Sequence, residues 1–375
     1  MAKNANNKKL NTRVAINRIK IDSLPSVMFT GKSDIVLWGL DNLYPSRIIE
    51  AIKKSPTALG CVKRQSEFIY GNGFNNGDFI VNRDGETLND VAQSAIRNGY
   101  SDLYGFGLHF NFNIFGQITE IFHVNAEHIR KTRTLKQAEY GLWKTDGTGF
   151  WDNYNIVVDL FGAYDPVERI REVGIDEYKG QLLFWGKGSD IYPTSPLDSA
   201  IISASFEKEA QIYPYANIRN GFSGTTLLKV PTMRTGTEAE AETDAVTNNI
   251  LAVSGAENAG GTLVISTPVD NDGKANNNAM IEHFSLPNAD NMFVNQNAKA
   301  EGDILKVYGM PRELLGQPKE GSFSKASYYE AFDYKNSDTE FDRKVIERIF
   351  NKIMVQSIWS PPKLELMPLK LTVTE

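Results

Sequence analysis

The chain has 375 residues, of which 41% are hydrophobic and 23% are charged. These values are ordinary for a soluble globular protein, so the chain can bury a core and is not disordered as a whole. The formal net charge of −6 argues against a protein that wraps DNA tightly, because such proteins usually carry a basic excess. An acidic balance is compatible with a passage through which DNA slides.

The cysteine count and the apolar runs exclude further classes. The single cysteine, Cys61, excludes an internal disulfide and a cysteine-based zinc site, and we expect it to be a small buried apolar residue. No apolar run approaches the roughly 20 residues that span a bilayer. The polar, basic N-terminus lacks the apolar core of a signal peptide. We therefore expect a protein made in the cytoplasm, with a mobile arm over residues 1 to about 15.

The first half of the chain predicts helices followed by a hairpin. Proline in a first turn and Gly71-Asn72-Gly73 after the second helix are signals for a helix start and a helix end. Near-alternation of apolar residues over 103–129, with a turn at Phe115-Gly116-Gln117, predicts a β-hairpin. The predicted elements are a short strand over 34–40, a helical segment over Leu43–Phe68 that Pro56 interrupts, a second helix over Thr57–Tyr70, a helix over Thr87–Gly99, the hairpin, and a strand over Gln181–Trp185.

The second half predicts two helical regions around a small insertion. Thr194-Ser195-Pro196 is a helix start, with a hydroxyl cap and then proline, and Pro214 predicts a kink or an early end of that helix. Residues 224–284 resemble a small α+β insertion, in which short strands flank an acidic helix over Thr237–Leu251. Apolar periodicity then predicts helices over Asn288–Tyr308 and Glu340–Met354.

The sequence offers no catalytic constellation. Thr30-Gly31-Lys32-Ser33 imitates the end of a phosphate-binding loop, but Ser26 stands where that motif requires glycine. His123 and His128 are five residues apart, which is off the spacing that places two metal ligands on one helix face. Neither a nucleophile elbow nor a cysteine–histidine signature is present. We therefore expect no catalytic residue, no metal and no cofactor.

A loop rich in glycine and proline lies between the last two predicted helices. Pro311 and Pro318 stiffen it, and its glycines allow tight turns. Charges of both signs gather there, at Arg312, Glu313, Lys319, Glu320 and Lys325. The residues alone leave two interpretations open. The loop is either an ordinary surface connection or a segment that a ring protein points into its own channel.

Four blocks of sequence, taken in this order, resemble the portal proteins of tailed bacteriophages, of the type found in long-tailed phages with HK97-like capsids. Leu43–Phe74 is similar to the N-terminal signature, a pair of helices that leaves through I-x-G-x-G-F. Tyr104–Ile129 resembles the wing hairpin of the family. Tyr192–Lys229 resembles its YG-x-SP-L helix start, long helix and F-x-NG exit. Ile304–Gly316 (ILKVYGMPRELLG) resembles its IA-x-x-F-G-V-P-x-x-LL-G segment.

The resemblance implies an α+β portal fold with an α/β wing, a two-helix stem, a small α+β clip, a tunnel loop and a reduced or absent crown. The implied boundaries are an N-terminal arm over 1–29, wing over 30–193, stem helix over 194–220, clip over 221–284, second stem helix over 285–309, tunnel loop over 310–324, wing helix over 325–358 and a tail over 359–375, the vestige of a crown. Two further departures from the family are Tyr192-Pro193 in place of Tyr-Gly and the proline at 214.

The resemblance also implies a function and its partners. Portal proteins form a ring, typically of twelve subunits, at one vertex of the capsid, where double-stranded DNA passes during packaging and ejection. The implied partners are further copies of the chain, DNA, the terminase large subunit, the head–tail adaptor, the major capsid protein and scaffold. We therefore expect a virion protein that is assembled in the host cytoplasm, is not an enzyme and has no membrane partner.

The resemblance assigns two groups of residues to these tasks. The residues expected at the DNA channel are Pro311, Arg312, Glu313, Gln317, Lys319, Glu320 and Lys325. The residues expected to pack between subunits in the stem are Phe293, Ala300, Ile304, Tyr308, Ile201 and Ile212. Small residues such as Ala298 and Ala300 dilute the larger side chains of the second stem helix, and such a face can pack closely against an identical neighbour.

Two other classes of protein stay open. One is another phage structural component, such as a head–tail adaptor or a minor capsid protein. Adaptors are generally shorter and lack the order of stem, clip and stem. The other is a nucleotide-dependent DNA enzyme, and the missing phosphate loop and metal cluster count against it.

Overall fold

The computed structural model describes residues 28–29, 34–143, 151–188, 191–219, 225–232, 262–268, 280–284, 289–316 and 325–371. It has the mixed α+β architecture expected from the sequence. The helices are α1 (Tyr44–Lys54), α2 (Pro56–Tyr70), α3 (Leu88–Ala95), α4 (Ser101–Leu103), α5 (Pro166–Val173), α6 (Ile201–Arg219), α7 (Ala289–Tyr308), α8 (Lys325–Asp338) and α9 (Glu340–Met354). The strands are β1 (Met28–Phe29), β2 (Val36–Leu37), β3 (Gly105–Phe112), β4 (Ile118–Val124), β5 (Ile129–Lys131), β6 (Gln137–Trp143), β7 (Trp151–Leu160), β8 (Gln181–Gly186), β9 (Thr225–Thr232), β10 (Thr262–Pro268) and β11 (Met280–Phe284).

A six-stranded sheet forms the centre of a large domain, with the order β4-β3-β8-β7-β6-β5. Neighbouring strands are antiparallel except for β7 and β8, which pair in parallel. The predicted hairpin is confirmed as β3 and β4. Asn113 closes its turn, because its side-chain oxygen accepts from the backbone amides of Phe115 and Gln117 at 3.0 Å each.

Apolar clusters cover both faces of this sheet. Side chains alternate along a strand, so Leu182 and Phe184 of β8 join one cluster while Phe106 and Phe110 of β3 join the other. Cys61 of α2 lies in the first cluster and is fully buried, as the sequence predicted. The large domain therefore has two cores, and the first of them reaches α7.

The helices α1 and α2 begin and end at the predicted signals. The Ser55 side chain accepts from the amide of Ala58 at 3.1 Å and caps α2, and α2 ends at Gly71, whose φ is 59°. A β-carbon at Gly71 would lie 2.0 Å from the carbonyl oxygen of Met367. Glycine is thus required at this helix end both by its backbone conformation and by the closely packed C-terminal tail.

The predicted helix over Thr87–Gly99 is α3 followed by a five-residue π turn, Ile96–Tyr100. Its start carries a capping box, in which the Thr87 side chain accepts from the amide of Asp90 and the Asp90 carboxylate accepts from the amide of Thr87. The wide turn coincides with a close approach, since a β-carbon at Gly99 would lie 2.6 Å from the carbonyl oxygen of Gly105.

The C-terminal tail runs back across the large domain. The amide of Leu366 donates to the Glu347 carboxylate, and the amide of Leu364 donates to the Asn351 side chain, each at 2.9 Å. Both leucines are buried. The segment interpreted from the sequence as a vestigial crown is therefore, as far as residue 371, packed against α9 and the end of α2. In the described part of the chain, the helices are all too short or too polar to cross a membrane.

Candidate functional site

Two long helices form an antiparallel pair, which we call the stem pair, α6 and α7. Between them in sequence lie β9, β10 and β11, which form a three-stranded sheet with β9 in the middle. β9 pairs in parallel with β10 and antiparallel with β11. The helix, small sheet and helix thus follow in the order that the sequence predicted. The predicted acidic helix over Thr237–Leu251 lies outside the described residues.

The first helix of the pair starts where the sequence predicted. The Ser195 hydroxyl accepts from the amide of Leu197 at 3.3 Å and donates to the carbonyl of Asp102 at 2.6 Å. A short 3₁₀ turn, Pro196–Ala200, then leads into α6. The helix continues through Pro214 to Arg219, so of the kink or early end expected at this proline the early end does not occur. Pro214 is exposed, and water can satisfy the carbonyl that loses its helical partner.

A buried carboxylate holds α6 against the large domain. Glu207 accepts from the Ser55 hydroxyl at 2.6 Å and from the amide of Thr57 at 3.3 Å. These groups lie at the start of α2, where a negative charge is favoured by the helix dipole. The upper part of the stem pair is therefore fixed to the large domain.

The residues that the sequence assigned to subunit packing differ in their burial. Ala300, Ile304 and Tyr308 are buried within their own chain, with exposed fractions of 5%, 0% and 4%. Their contacts are inside the subunit, so they present no free surface to another copy. Ile201 and Ile212 are half-buried, and the Phe293 side chain lies outside the described residues.

Sequence reasoning missed one face of α6, which is buried against the large domain at one end of the helix and exposed at the other. At the upper end this face packs at Ala204 and Glu207, which are buried. At helical spacing it continues as Gln211, Tyr215 and Ile218, which we call the lower stripe. Tyr215 and Ile218 are 65% and 59% exposed. On α7, Val294 is likewise 66% exposed. The spacing of 204, 207, 211, 215 and 218 is visible in the sequence, but the point at which the face emerges is not.

The base of the predicted tunnel loop is folded onto α2 and α7. Residues Arg312–Leu315 form a 3₁₀ turn, and Leu314 is buried. Arg64 of α2 donates to the carbonyl of Leu314 at 3.1 Å, and Arg312 lies 3.4 Å from the carboxylate of Glu301 on α7. The segment up to Gly316 is therefore anchored.

The remaining predicted channel residues have mixed placements. Pro311 and Glu313 are half-buried next to the 3₁₀ turn, and Lys325 is exposed at the start of α8. The ammonium of Lys325 lies 5.7 Å from the ring centroid of Tyr329. Gln317, Lys319 and Glu320 lie outside the described residues.

The described histidines are not arranged as metal ligands. Burial lowers the pKa of His123 to about 4, and burial also lowers the pKa of His109, whose ring nitrogen lies 2.7 Å from the carbonyl of Lys179. Among the described residues, no three histidine, cysteine or acidic side chains come together in a way that could hold a metal ion.

No protein-family model matches the chain, and no curated protein matches it. Among solved structures, the chain is similar to one from the neck of a native gene transfer agent particle computed with C12 symmetry. The two are 14% identical, the match covers 88% of this chain and 86% of that one, and the TM-score is 0.50.

A chain from the virion of a native gene transfer agent particle matches with 14% identity, 86% and 83% coverage and a TM-score of 0.50. An HK97 family phage portal protein from Corynebacterium diphtheriae is 10% identical, with 77% and 85% coverage and a TM-score of 0.40. The overall fold of this chain is thus shared with a chain in the neck of the gene transfer agent particle.

Proposed function

We propose that the chain is a portal subunit, which assembles into a ring around a channel for double-stranded DNA at one vertex of a capsid. The observation that carries the proposal is the order of large domain, α6, small sheet, α7 and anchored loop, within a fold shared with a protein of a particle neck. That neck was computed with C12 symmetry, which supports a ring of twelve copies of this chain as well.

The lower stripe supports contact between copies. Tyr215 and Ile218 leave apolar area in water on a helix that carries few fixed charges there. Repetition of this surface around a ring would bury that area against the neighbouring α7, where Val294 is exposed. This assignment replaces Ala300, Ile304 and Tyr308 as the residues that face another copy.

The loop after the 3₁₀ turn is the part that we assign to the channel. Its base is fixed by Arg64 and by the pair of Arg312 with Glu301, so the residues beyond Gly316 start from a rigid position. Charges of both signs in Lys319, Glu320 and Lys325 would touch phosphates without trapping them, because every neutralised phosphate adds affinity and therefore drag.

The two ends of the ring would serve different partners. The small sheet, at the far end of the stem pair, is the surface that we assign to the packaging terminase and then to the head–tail adaptor. The large domain would contact the major capsid protein and scaffold. In this function the chain hydrolyses nothing itself and acts inside the virion as a conduit.

The mass of the purified protein tests the ring. Native mass spectrometry and electron microscopy of the full chain, alone and after coexpression with the capsid and scaffold proteins, should show closed rings with a central hole. A chain that stays monomeric at high concentration under both conditions would contradict the proposal.

A charge reversal tests the loop. Lys319→Glu with Lys325→Glu should leave the rings intact and lower the amount of DNA packaged per particle. Lys352→Glu with Lys370→Glu, which changes net charge equally on exposed parts of the large domain, is the matched control. Packaging that is equal in both double variants would remove the loop from the mechanism.

A further inference from the structure

A groove between two helices of the large domain has no role in the proposed function. It lies between α2, the end of α3 with its π turn, and the C-terminal tail, and its volume is about 240 Å³. That volume is enough for a phosphate group together with bridging waters. Six of its eight lining residues carry a polar group at the end of the side chain, although much of the exposed lining is hydrocarbon. The lining residues are Lys63, Ser66, Glu67, Tyr70, Gly71, Gln93, Arg97 and Leu369.

One wall of the groove is a single face of α2. Lys63, Ser66 and Tyr70 follow one another at spacings of three and four residues, which places them on the same side of the helix. Ser66 is itself satisfied, since its hydroxyl donates to the carbonyl of Lys63 at 2.7 Å. The Lys63 ammonium and the Tyr70 hydroxyl are the groups on this wall with hydrogen bonds to offer.

The other wall is fixed by the π turn. Gln93 and Arg97 are four residues apart and face the same way, and both are exposed. The wide turn cannot relax into a regular α-helix without moving Gly99, which lies against the carbonyl of Gly105 with no room for a β-carbon. Such turns often lie at functional sites. Arg97 lies within this turn and lines the groove together with Lys63.

The charge in the groove is positive on a chain that is acidic overall. In the part of the chain that the structure describes, Lys63 and Arg97 make neither an ion pair nor a hydrogen bond. The acid in the lining, Glu67, is paired with Arg64 at 2.7 Å. Behind Arg97 lies Asp102, whose burial raises its pKa to about 7. Two cations therefore line the groove, and the buried carboxyl of Asp102 interacts electrostatically with one of them, Arg97.

We propose that this groove binds the backbone phosphates of double-stranded DNA without reading its sequence. Lysine, arginine, glutamine and tyrosine are the side chains that contact phosphates in DNA complexes, and the groove brings one of each together. The two cations could also bind an acidic peptide, but its carboxylates would offer fewer acceptors to the amide of Gln93 and the hydroxyl of Tyr70 than a phosphate would.

The position of the groove supports DNA as the ligand. The same helix, α2, carries both the groove and the contacts to the loop base: Arg64 donates to Leu314, and Gly60 lies against Leu315. The inference rests on the proposed function, because it adds a second phosphate contact beside the loop that we assign to the channel.

Binding of a labelled DNA duplex to the full chain, measured by fluorescence anisotropy over a range of salt concentrations, tests the groove. Lys63→Ala with Arg97→Ala should weaken binding, and the slope of log affinity against log salt should become shallower by about 2, one for each lost phosphate contact. Gln93→Glu, which adds an anion to the groove, should weaken binding at every salt concentration.

The control is Arg171→Ala with Lys352→Ala, which removes two exposed cations elsewhere in the large domain. A slope that changes equally in both double variants would overturn the groove as a site. Displacement of the duplex by polyglutamate as readily as by unlabelled duplex would overturn phosphate as the ligand. Ring formation, followed in parallel, separates the two ideas. If the variant with Lys63→Ala and Arg97→Ala forms intact rings and binds DNA as tightly as the parent chain, only the groove is contradicted. If the parent chain itself stays monomeric, the portal assignment is contradicted.

Discussion

The ammonium of Lys335 donates a hydrogen bond to the backbone carbonyl of Tyr308 at 2.7 Å, and the Lys335 side chain is fully buried. Its second partner is the carboxylate of Asp338, also at 2.7 Å. Tyr308 is the last residue of α7, so a positive charge satisfies the end of that helix where its dipole favours one. The stem pair is thereby joined to α8.

Replacing Lys335 by methionine should lower the free energy of unfolding by about 3 kcal/mol, because the Tyr308 carbonyl and the Asp338 carboxylate each lose a charged partner. Methionine keeps the length of the chain, so the loss reports the hydrogen bonds rather than a cavity. Chemical denaturation of the purified variant measures it. Lys352→Met, on the exposed side of α9, should change stability by less than about 0.5 kcal/mol. Equal losses in both variants would contradict the assignment of Lys335.

Alanine at Gly71 should destabilise the chain strongly. The residue has a φ of 59°, and the new β-carbon would meet the carbonyl oxygen of Met367 at 2.0 Å. The tail must then move away from the end of α2, and we expect a loss of more than about 2 kcal/mol together with easier proteolysis after Trp359.

Gly302→Ala is the opposite case. Gly302 lies inside α7 with nothing within 4 Å of the added carbon, so the variant should gain about 0.5–1 kcal/mol from helix propensity. A stable Gly71→Ala variant with an undisturbed tail would show that the tail is not packed as described.

Helix starts and ends were predictable where one local residue fixes them. Ser195 before Pro196 and Gly71 after α2 act within a few residues of themselves, and the structure has both at the expected positions. The π turn was not predictable, because it depends on the approach of Gly105 to Gly99 from a different element. Of the kink or early end expected at Pro214, the early end does not occur, because an exposed proline leaves a carbonyl that water can reach.

The sequence also could not predict which surface packs against a given helix face. The sequence predicted that Ile304 and Tyr308 of α7 pack against another copy of the chain, whereas both are buried within their own chain. Periodicity does not show whether an apolar helix face packs against another copy or against its own chain. Here it packs against the subunit's own core. For the same reason the lower stripe of α6 escaped notice. Tyr215 continues the face of Glu207, yet Glu207 is buried and Tyr215 is exposed, and periodicity alone does not show where along the helix burial ends.

The pH dependence of stability should contain a contribution from Asp102. Burial raises the pKa of this carboxyl from 3.8 to about 7 in the folded chain. The folded state therefore holds a proton that the unfolded state releases between these values, and this contribution to stability is present below pH 4 and lost as the pH rises to 7.

Asp102→Asn removes the titration. We expect the variant to be more stable than the parent chain at pH 8, and to lose that advantage at pH 4. Denaturation curves at both values measure the difference, and the variant serves as its own control because the two conditions share every other substitution effect. A difference that is the same at pH 4 and at pH 8 would show that Asp102 ionises normally in the folded chain.

Ring formation should depend on the lower stripe of α6. Tyr215→Ser with Ile218→Ser removes two exposed apolar side chains, and full burial of such a side chain contributes about 1.5–3 kcal/mol. The loss of both from each contact should raise the concentration at which rings form by more than about tenfold, while the monomer stays folded. Native mass spectrometry over a dilution series measures this. Val355→Ser, at a residue that is 85% exposed after α9, should leave the concentration unchanged. If the control variant disrupts rings and the stripe variant does not, subunits meet through the large domain instead, and the exposed part of α6 faces another partner.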